Sequence, residues 1–389
     1  MALSYLDRQV LAVLAPTITR ELEIGEEAYG WLQSAFSIAY LVGAPLAGFL
    51  LERVGVRRGL LAAVVLWSLV SAMHGFVPGF GMLFAMRLAL GLAEAPSFPG
   101  SASAIARALP PHKRARGIGI LYTGSSFGAM IAPPLATFLA GQLGGWRLAF
   151  GVVALAGLLW VPAWLLATGG DAKPLFEASP QARSGHSLWS TARHPAVLRA
   201  GALVVASSPV FAFIFLWTSK LLVDHHHIAQ EDVGGYLWMP PIFLDIGAVT
   251  FGFLASRFAS RAGVGRSPIA LASVAALMTL ALGALPLAHD PWAVMALCGV
   301  AMAGGGGLFA ILTADMISAV GAPLAASAGG VTAAAQSLAY IVANPLIGRG
   351  VRYIGYDAVV VLLALWLVPG FLLWVWRRPP ETPDTESTA

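Results

Sequence analysis

Long apolar runs dominate this chain, and each is long enough to cross a lipid bilayer. A helix spans the hydrocarbon core with about 20 mostly apolar residues. Such runs lie near 3–18, 29–51, 59–77, 81–106, 117–140, 146–168, 198–222, 234–256, 267–288, 291–318, 324–348 and 354–376, bounded by glycine, proline or clustered charge. In lipid every backbone polar group has to bond internally, so only helices and closed barrels cross. Barrel strands are short and alternate in polarity; these runs do neither. The expected fold class is an all-α membrane protein with twelve transmembrane helices.

Composition agrees. Of 389 residues, 58% are hydrophobic and 11% charged, whereas a soluble domain carries roughly a quarter charged residues. A soluble enzyme, a disordered chain and a nucleic-acid binder are therefore excluded. The net charge of +4 has no basic face to hold nucleic acid, and the single cysteine, Cys298, permits no intramolecular disulfide. Lys and Arg concentrate on cytoplasmic loops. The even-to-odd connections and the C-terminus share sixteen of the 23 basic residues, the opposite side has five, and Arg8 and Arg87 lie inside helices. The C-terminus is thus expected in the cytoplasm, in a multi-pass protein of the bacterial inner membrane.

The two halves echo each other. Gly48-Phe-Leu-Leu-Glu52-Arg53 recurs as Gly252-Phe-Leu-Ala-Ser256-Arg257, and Pro133-Pro134-Leu recurs as Asn344-Pro345-Leu, at offsets of 204 and 211 residues. Two parallel six-helix repeats around a midplane site describe a transporter of the major facilitator type. The expected organisation is an N-terminal bundle over 1–168, a cytoplasmic linker over 169–197, a C-terminal bundle over 198–376 and a polar, disordered tail over 377–389. Only six residues precede Asp7, too few to reach the far surface if Asp7 lies near mid-bilayer. Two explanations stay open: a start placed too far downstream, or a first helix that begins inside the membrane.

Six charges fall inside the apolar runs: Asp7, Arg8, Arg87, Glu94, Asp245 and Asp315. Each costs about 3 kcal/mol or more at the bilayer centre unless it is paired or in water, so each is a functional candidate. Arg87 and Glu94 are seven apart and share a helix face to within about 20°. Their separation along the axis, about 10 Å, is too great for a direct ion pair. Each needs a partner on another helix or a ligand, and the first helix offers Asp7 and Arg8. An arginine fork holds a carboxylate, and a desolvated carboxylate can exchange a proton near neutral pH. The foursome thus suits a proton-coupled anion site; the competing reading is a structural lattice of salt bridges. Asp245, after Pro240-Pro241, is either a second polar group in the cavity or a cap on a distorted backbone. Asp315 suits a helix terminus or a gate. Tyr40 lies mid-membrane, where its hydroxyl needs a partner. Ser125, Ser126 and Gln336, on the fifth and eleventh runs, fit helix–helix bonding or recognition of substrate hydroxyls.

Between the second and third runs stands Gly48-x-x-x-Glu52-Arg53-x-Gly55-x-Arg57-Arg58. It resembles the signature loop of the major facilitator superfamily, with Glu52 in place of the usual Asp and Val56 where a basic residue is frequent. The resemblance implies a gating latch built from Gly48, Glu52, Arg53, Gly55 and Arg57. Ser4-Tyr5-Leu6-Asp7-Arg8-Gln9, Arg87-x6-Glu94-Ala-Pro96 and Gly124-Ser125-Ser126-Phe127-Gly128 with Ala132-Pro133-Pro134 resemble the anion:cation symporter family. Trp217-Thr-Ser-Lys220-Leu-Leu-Val-Asp224 and Trp238-Met-Pro-Pro-Ile-Phe-Leu-Asp245 resemble its hexuronate branch. The likeness covers nearly the whole chain. It implies proton-coupled import of a small organic anion, a hexuronate or aldonate, with Asp7 and Glu94 as proton carriers and Arg87 as their partner. By the same resemblance Arg8 binds the carboxylate, and Tyr5 and Tyr40 sit at the sugar.

The expectation is a monomeric symporter surrounded by lipid, moving an anion and a proton by alternating access, with no enzyme activity, cofactor, metal or nucleic acid. The alternatives are a carrier of another monocarboxylate and a drug exporter on the same fold; paired arginines favour anionic cargo. His225-His226-His227 reads as a solvated loop, since adjacent imidazoles do not converge on one metal. Gly304–Gly307 reads as a close-packing or bending element, because it lacks the Lys-Ser/Thr of a phosphate loop.

Overall fold

Proline and glycine decide where the apolar runs bend. The computed structural model describes residues 1–142, 144–177, 188–262 and 269–376. The first run divides beside Pro16 into α1 (Ala2–Val13) and α2 (Ala15–Glu21); α3 (Glu26–Val54) and α4 (Val56–Met73) follow, joined at Gly55. There φ is +82°, a conformation that glycine adopts without the Cβ penalty. The fourth run breaks at Pro96 into α5 (Phe80–Glu94) and α6 (Ser97–Ala108), because proline has no N–H for the ladder. Next come α7 (Pro111–Gln142), α8 (Trp146–Ala167), the short α9 (Leu188–Ala192), α10 (Pro195–Leu216) and α11 (Thr218–Lys220).

The eighth run starts as α12 (Gly234–Leu237) and resumes as α13 (Met239–Ala262), the division falling just before Pro240-Pro241. Then follow α14 (Ile269–Thr279), which tightens into a 3-10 stretch over Leu280–Leu287, and α15 (Pro291–Val320). The last element, α16 (Ala322–Trp376), carries both final runs, broken at Gly355 where φ is +79°. Among the described residues, each apolar run is mostly helix and no strand occurs. The 377–389 tail and residues 178–187 of the linker lie outside the described residues.

The helices cluster into two units. The first comprises Met1–Arg183, Leu216–Trp238 and Asn344–Arg352. In it α1 lies along α7, α3 along α5 and α4 along α8, over a core that includes Phe36, Val64, Trp67 and Leu90. Small residues set these distances, as expected where lipid gives no hydrophobic drive between helices. A side chain on Gly128 would strike the Ala2 carbonyl, and one on Gly91 would strike the Phe36 carbonyl.

The second unit comprises Ser184–Phe215, Met239–Ala343 and Tyr353–Ala389. Its core gathers Leu203, Val204, Phe251, Leu308, Leu312, Leu367 and Trp374. Here Gly304–Gly307 is the close-packing element. A Cβ on Gly304 would meet the Ala275 carbonyl, one on Gly305 the Phe211 ring, one on Gly306 the Leu244 carbonyl and one on Gly307 the Phe251 ring.

Candidate functional site

The charges of the first unit converge because α1 and α5 both reach its centre. Ser4 and Arg8 are one helical turn apart, so their side chains share a face. Both bond the same atom: Ser4 Oγ and Arg8 Nε each donate to Glu94 Oε2 at 2.7 Å. Glu94 is fully buried, whereas the Arg8 side chain is 20% exposed. The carboxylate is thus sealed from solvent, while part of the Arg8 side chain reaches the surface of the unit. Arg8 Nη2 and Glu94 Oε1 have no hydrogen-bond partner.

Asp7 points elsewhere on α1. Its Oδ1 accepts from Ser71 Oγ of α4 at 2.6 Å, and its Oδ2 has no hydrogen-bond partner. Arg87, 2% exposed, makes no ion pair within 4.0 Å among the described residues. Its Nη2 donates to Gln33 Oε1 of α3 at 3.4 Å, while Nε and Nη1 are without partners. Four ionisable groups therefore share the centre with one ion pair between them and five unspent polar atoms. Buried polar atoms are costly unless bonded, so these five unbonded atoms mark the centre as the candidate site.

Both arginines contact the Phe36 ring. The guanidinium carbon of Arg8 lies 4.6 Å from its ring centroid, and that of Arg87 lies 5.2 Å away. Tyr5 and Tyr40 complete an aromatic collar around Arg8, with centroids at 5.1 and 4.9 Å. Cation–π contact in a desolvated site is worth on the order of 2 kcal/mol, which helps hold two like charges in one core. Gly91 makes this possible: lying between Arg87 and Glu94 on α5, it lets the α3 backbone approach at Phe36.

The remaining sequence candidates are spread more widely. Ser125 Oγ donates back to the Leu121 carbonyl of its own helix at 3.2 Å. Gln336 lies on α16 in the second unit and is half-buried. In the first turn of α4, Arg57 Nε donates to Thr168, at 3.0 Å to the carbonyl and 3.1 Å to Oγ1. Trp164 Nε1 donates to the Arg57 carbonyl at 3.1 Å. Gly55 supplies the turn, Arg53 is exposed near the end of α3, and the side-chain surroundings of Gly48 and Glu52 lie outside the described residues. Asp245 and Asp315 fall on α13 and α15 in the second unit.

Gln33, Phe36 and Ser71 escaped the sequence analysis, and Ser4 entered it only as part of a motif, without a role. Ser4 carried a signal nonetheless: it is four residues before Arg8. Phe36 carried the same signal relative to Tyr40.

A bundle of this topology with a paired acid and base at its centre defines a secondary transporter. A family model of the Major Facilitator Superfamily matches residues 1–344, and the chain belongs to that superfamily. It is a multi-pass membrane transporter, not an enzyme. The hexuronate transporter of Escherichia coli (strain K12) is 27% identical, with 99% of this chain and 92% of that protein covered. The galacturonate transporter of Dickeya chrysanthemi is 26% identical over 76% of this chain and 90% of its own length. The D-galactonate transporter of Escherichia coli O6:H1 is 25% identical over 96% and 92%. Among solved structures, a bacterial homolog of the human lysosomal transporter Spinster, inward-facing and unoccupied, superposes with a TM-score of 0.83 at 18% identity, covering 97% of this chain and 94% of that one. The human organic anion transporter MFSD10 gives 0.66 at 16%, covering 96% and 97%.

Proposed function

We propose that the protein is a proton-coupled symporter that imports a sugar acid, a hexuronate or aldonate, across the bacterial inner membrane. The observation that carries this reading is the centre of the first unit, where the partly exposed Arg8, its buried Nη2 unbonded, pairs with a buried acid among the rings of Tyr5 and Tyr40. Relatives named for hexuronate, galacturonate and galactonate transport support the substrate class.

Arg8 can present its outer N–H groups to a substrate carboxylate, a charge-assisted contact stronger than a neutral one. Tyr5 and Tyr40 offer hydroxyls and ring faces to the sugar, and Ser125 and Gln336 offer further polar groups. A substrate anion competes with Glu94 for Arg8, so Glu94 takes up a proton when the substrate displaces it. Asp7 is the second proton carrier, and Arg87 balances whichever acid is charged. The loop residues Gly48, Glu52, Arg53, Gly55 and Arg57 form the latch on the cytoplasmic side. Two six-helix bundles, 1–168 and 198–376, joined by the 169–197 linker, rock around the site in a monomer whose C-terminus is cytoplasmic.

Uptake of labelled galacturonate, glucuronate and galactonate into proteoliposomes tests this. Accumulation should follow an inward proton gradient and collapse with a protonophore. Glu94→Gln should abolish gradient-driven accumulation and spare counterflow exchange. Gradient-driven uptake retained by Glu94→Gln would refute its role, and uptake of amphiphilic cations in place of the acids would establish the exporter reading.

A further inference from the structure

Two buried polar residues of the first unit stand outside the transport cycle above, and they form a directed chain. Tyr29 and Gln33, 1% and 2% exposed, lie one turn apart on α3. Arg87 Nη2 donates to Gln33 Oε1 at 3.4 Å, Gln33 Nε2 donates to Tyr29 Oη at 2.6 Å, and Tyr29 Oη donates to the Leu216 carbonyl at 2.5 Å. The direction is forced. A guanidinium has no acceptor, so the amide turns its oxygen to Arg87. Its nitrogen then donates to the tyrosine, whose proton has only the carbonyl to serve. Leu216 ends α10 and opens the Leu216–Trp238 segment of the unit.

That segment is fastened across the end of the unit at which α3 begins, the outer end by the Lys/Arg count. Ser219 Oγ donates to the Val13 carbonyl at 2.6 Å, and Trp217 Nε1 donates to Asn344 Oδ1 at 3.1 Å. Lys220 Nζ is 3.0 Å from Glu26 Oε1, 3.0 Å from Asp224 Oδ2 and 3.1 Å from Thr19 Oγ1. The Tyr29 ring meets the Trp217 ring edge-on at 4.8 Å.

We propose that Gln33 and Tyr29 are positioning residues that couple Arg87 to this closure: when Arg87 turns to Gln33 the 216–238 segment is held shut, and when it turns to a carboxylate the segment is released. Arg87 faces Asp7 and Arg8 from α1, Glu94 on its own helix, Tyr29 from α3 and His74 at the end of α4. A charged Asp7 attracts the guanidinium far more strongly than an amide does; a neutral Asp7 leaves it to Gln33. Acid therefore favours closure. The inference rests on proton coupling through Asp7 and Glu94.

The test uses the full chain in lipid with Cys298→Ala, since Cys298 is the sole native cysteine. Spin labels go on cysteines at Phe76 and Ala229, exposed positions of the first unit. Their distance distribution is measured at pH 5.5 and pH 8. The otherwise native chain should show a longer-distance population about three-fold larger at pH 8. Tyr29→Phe, which keeps the ring against Trp217, and Gln33→Leu should each give a population that does not change with pH. A native chain flat in pH, or variants that still shift as it does, would overturn the coupling. Protonophore-insensitive uptake with the pH-dependent distances intact would refute the symport reading alone. Protonophore-sensitive uptake with unaltered distances in both variants would refute the relay alone.

Discussion

α5 and α15 hold the fourth and tenth membrane runs, and the internal repeat makes them counterparts. On α5, Arg87 and Glu94 put two charges on one face, 2% and 0% exposed. The repeat offsets of 204 to 211 residues set those positions against 291–305 on α15, a stretch without a charge that ends in glycines. The first unit thus organises its centre by charge, hydroxyls and ring faces, whereas α15 is held by close packing at Gly304–Gly307, against backbone at Gly304 and Gly306 and against phenylalanine rings at Gly305 and Gly307. One scaffold can carry a polar site in one half and a dense packing seam in the other. The difference teaches where selectivity and stability each reside: a substitution in the first seam should change transport, and one in the second should change folding.

The sharpest way to break this comparison is Arg8→Ala. It leaves Glu94 buried with Ser4 as its remaining partner and removes the proposed carboxylate fork. Truncating the protein's member of a desolvated charge pair with a bound partner costs about 2–5 kcal/mol, so loss of the proposed Arg8 contact with the substrate carboxylate should lower sugar-acid affinity by calorimetry about 100-fold or more. Arg8→Lys should restore little of it, because an ammonium lacks the planar fork. Unchanged affinity would make the pair structural and erase the contrast.

A smaller effect is expected from Gly306→Leu on α15, where the side chain would run into the Leu244 carbonyl and the Ala248 amide. Backbone cannot yield as a side-chain tip does, and overpacking costs about 1–3 kcal/mol. The melting midpoint in detergent should drop by about 5 °C, a few degrees for each kcal/mol in a protein of this size. Gly151→Ala on α8 has nothing within 4 Å of the new methyl and should leave the midpoint in place. A tolerated leucine at Gly306 would show that the glycine seam is not a packing device.

The smallest effect concerns a charge outside the bilayer. Burial pushes the Glu21 carboxyl up, but hydrogen bonds from Trp146 and Arg147 and the Arg147 charge outweigh it, and the net shift is downward. A lowered carboxyl stabilises the fold above its ordinary value, about 4.3, and loses that contribution as pH falls through its own. The pair is well exposed, so the effect is a few tenths of a kcal/mol. Glu21→Gln should lower the midpoint by about a degree at pH 7 and not at pH 3. An equal shift at both values would show that the hydrogen bonds, and not the charge, hold Glu21.

Much of this was legible in the sequence. Run length gave the helices, and helical spacing put Arg87 and Glu94 on one face. The repeat of Gly48–Arg53 at Gly252–Arg257 marked the two halves. Sequence also placed Asp7 and Arg8 on the neighbouring helix as complements. It did not show that Arg8, and not Asp7, bonds Glu94, nor that Asp7 turns to Ser71. Adjacent residues on a helix point about 100° apart, so the partner of each depends on how α1 is rotated against α5. No local pattern encodes that rotation.

The amino-acid sequence by itself determined that this chain lives in a membrane, spans it repeatedly and keeps charge where lipid penalises it, because transfer of apolar and charged groups is a property of residues one at a time. Only the tertiary structure decided which charges are paired, which atoms are left open and that Gln33 and Tyr29 lead from Arg87 to the Leu216 carbonyl. Those choices follow from hydrogen-bond geometry over a few ångströms between helices far apart in the chain, and such distances come into being only when the glycine-lined faces pack.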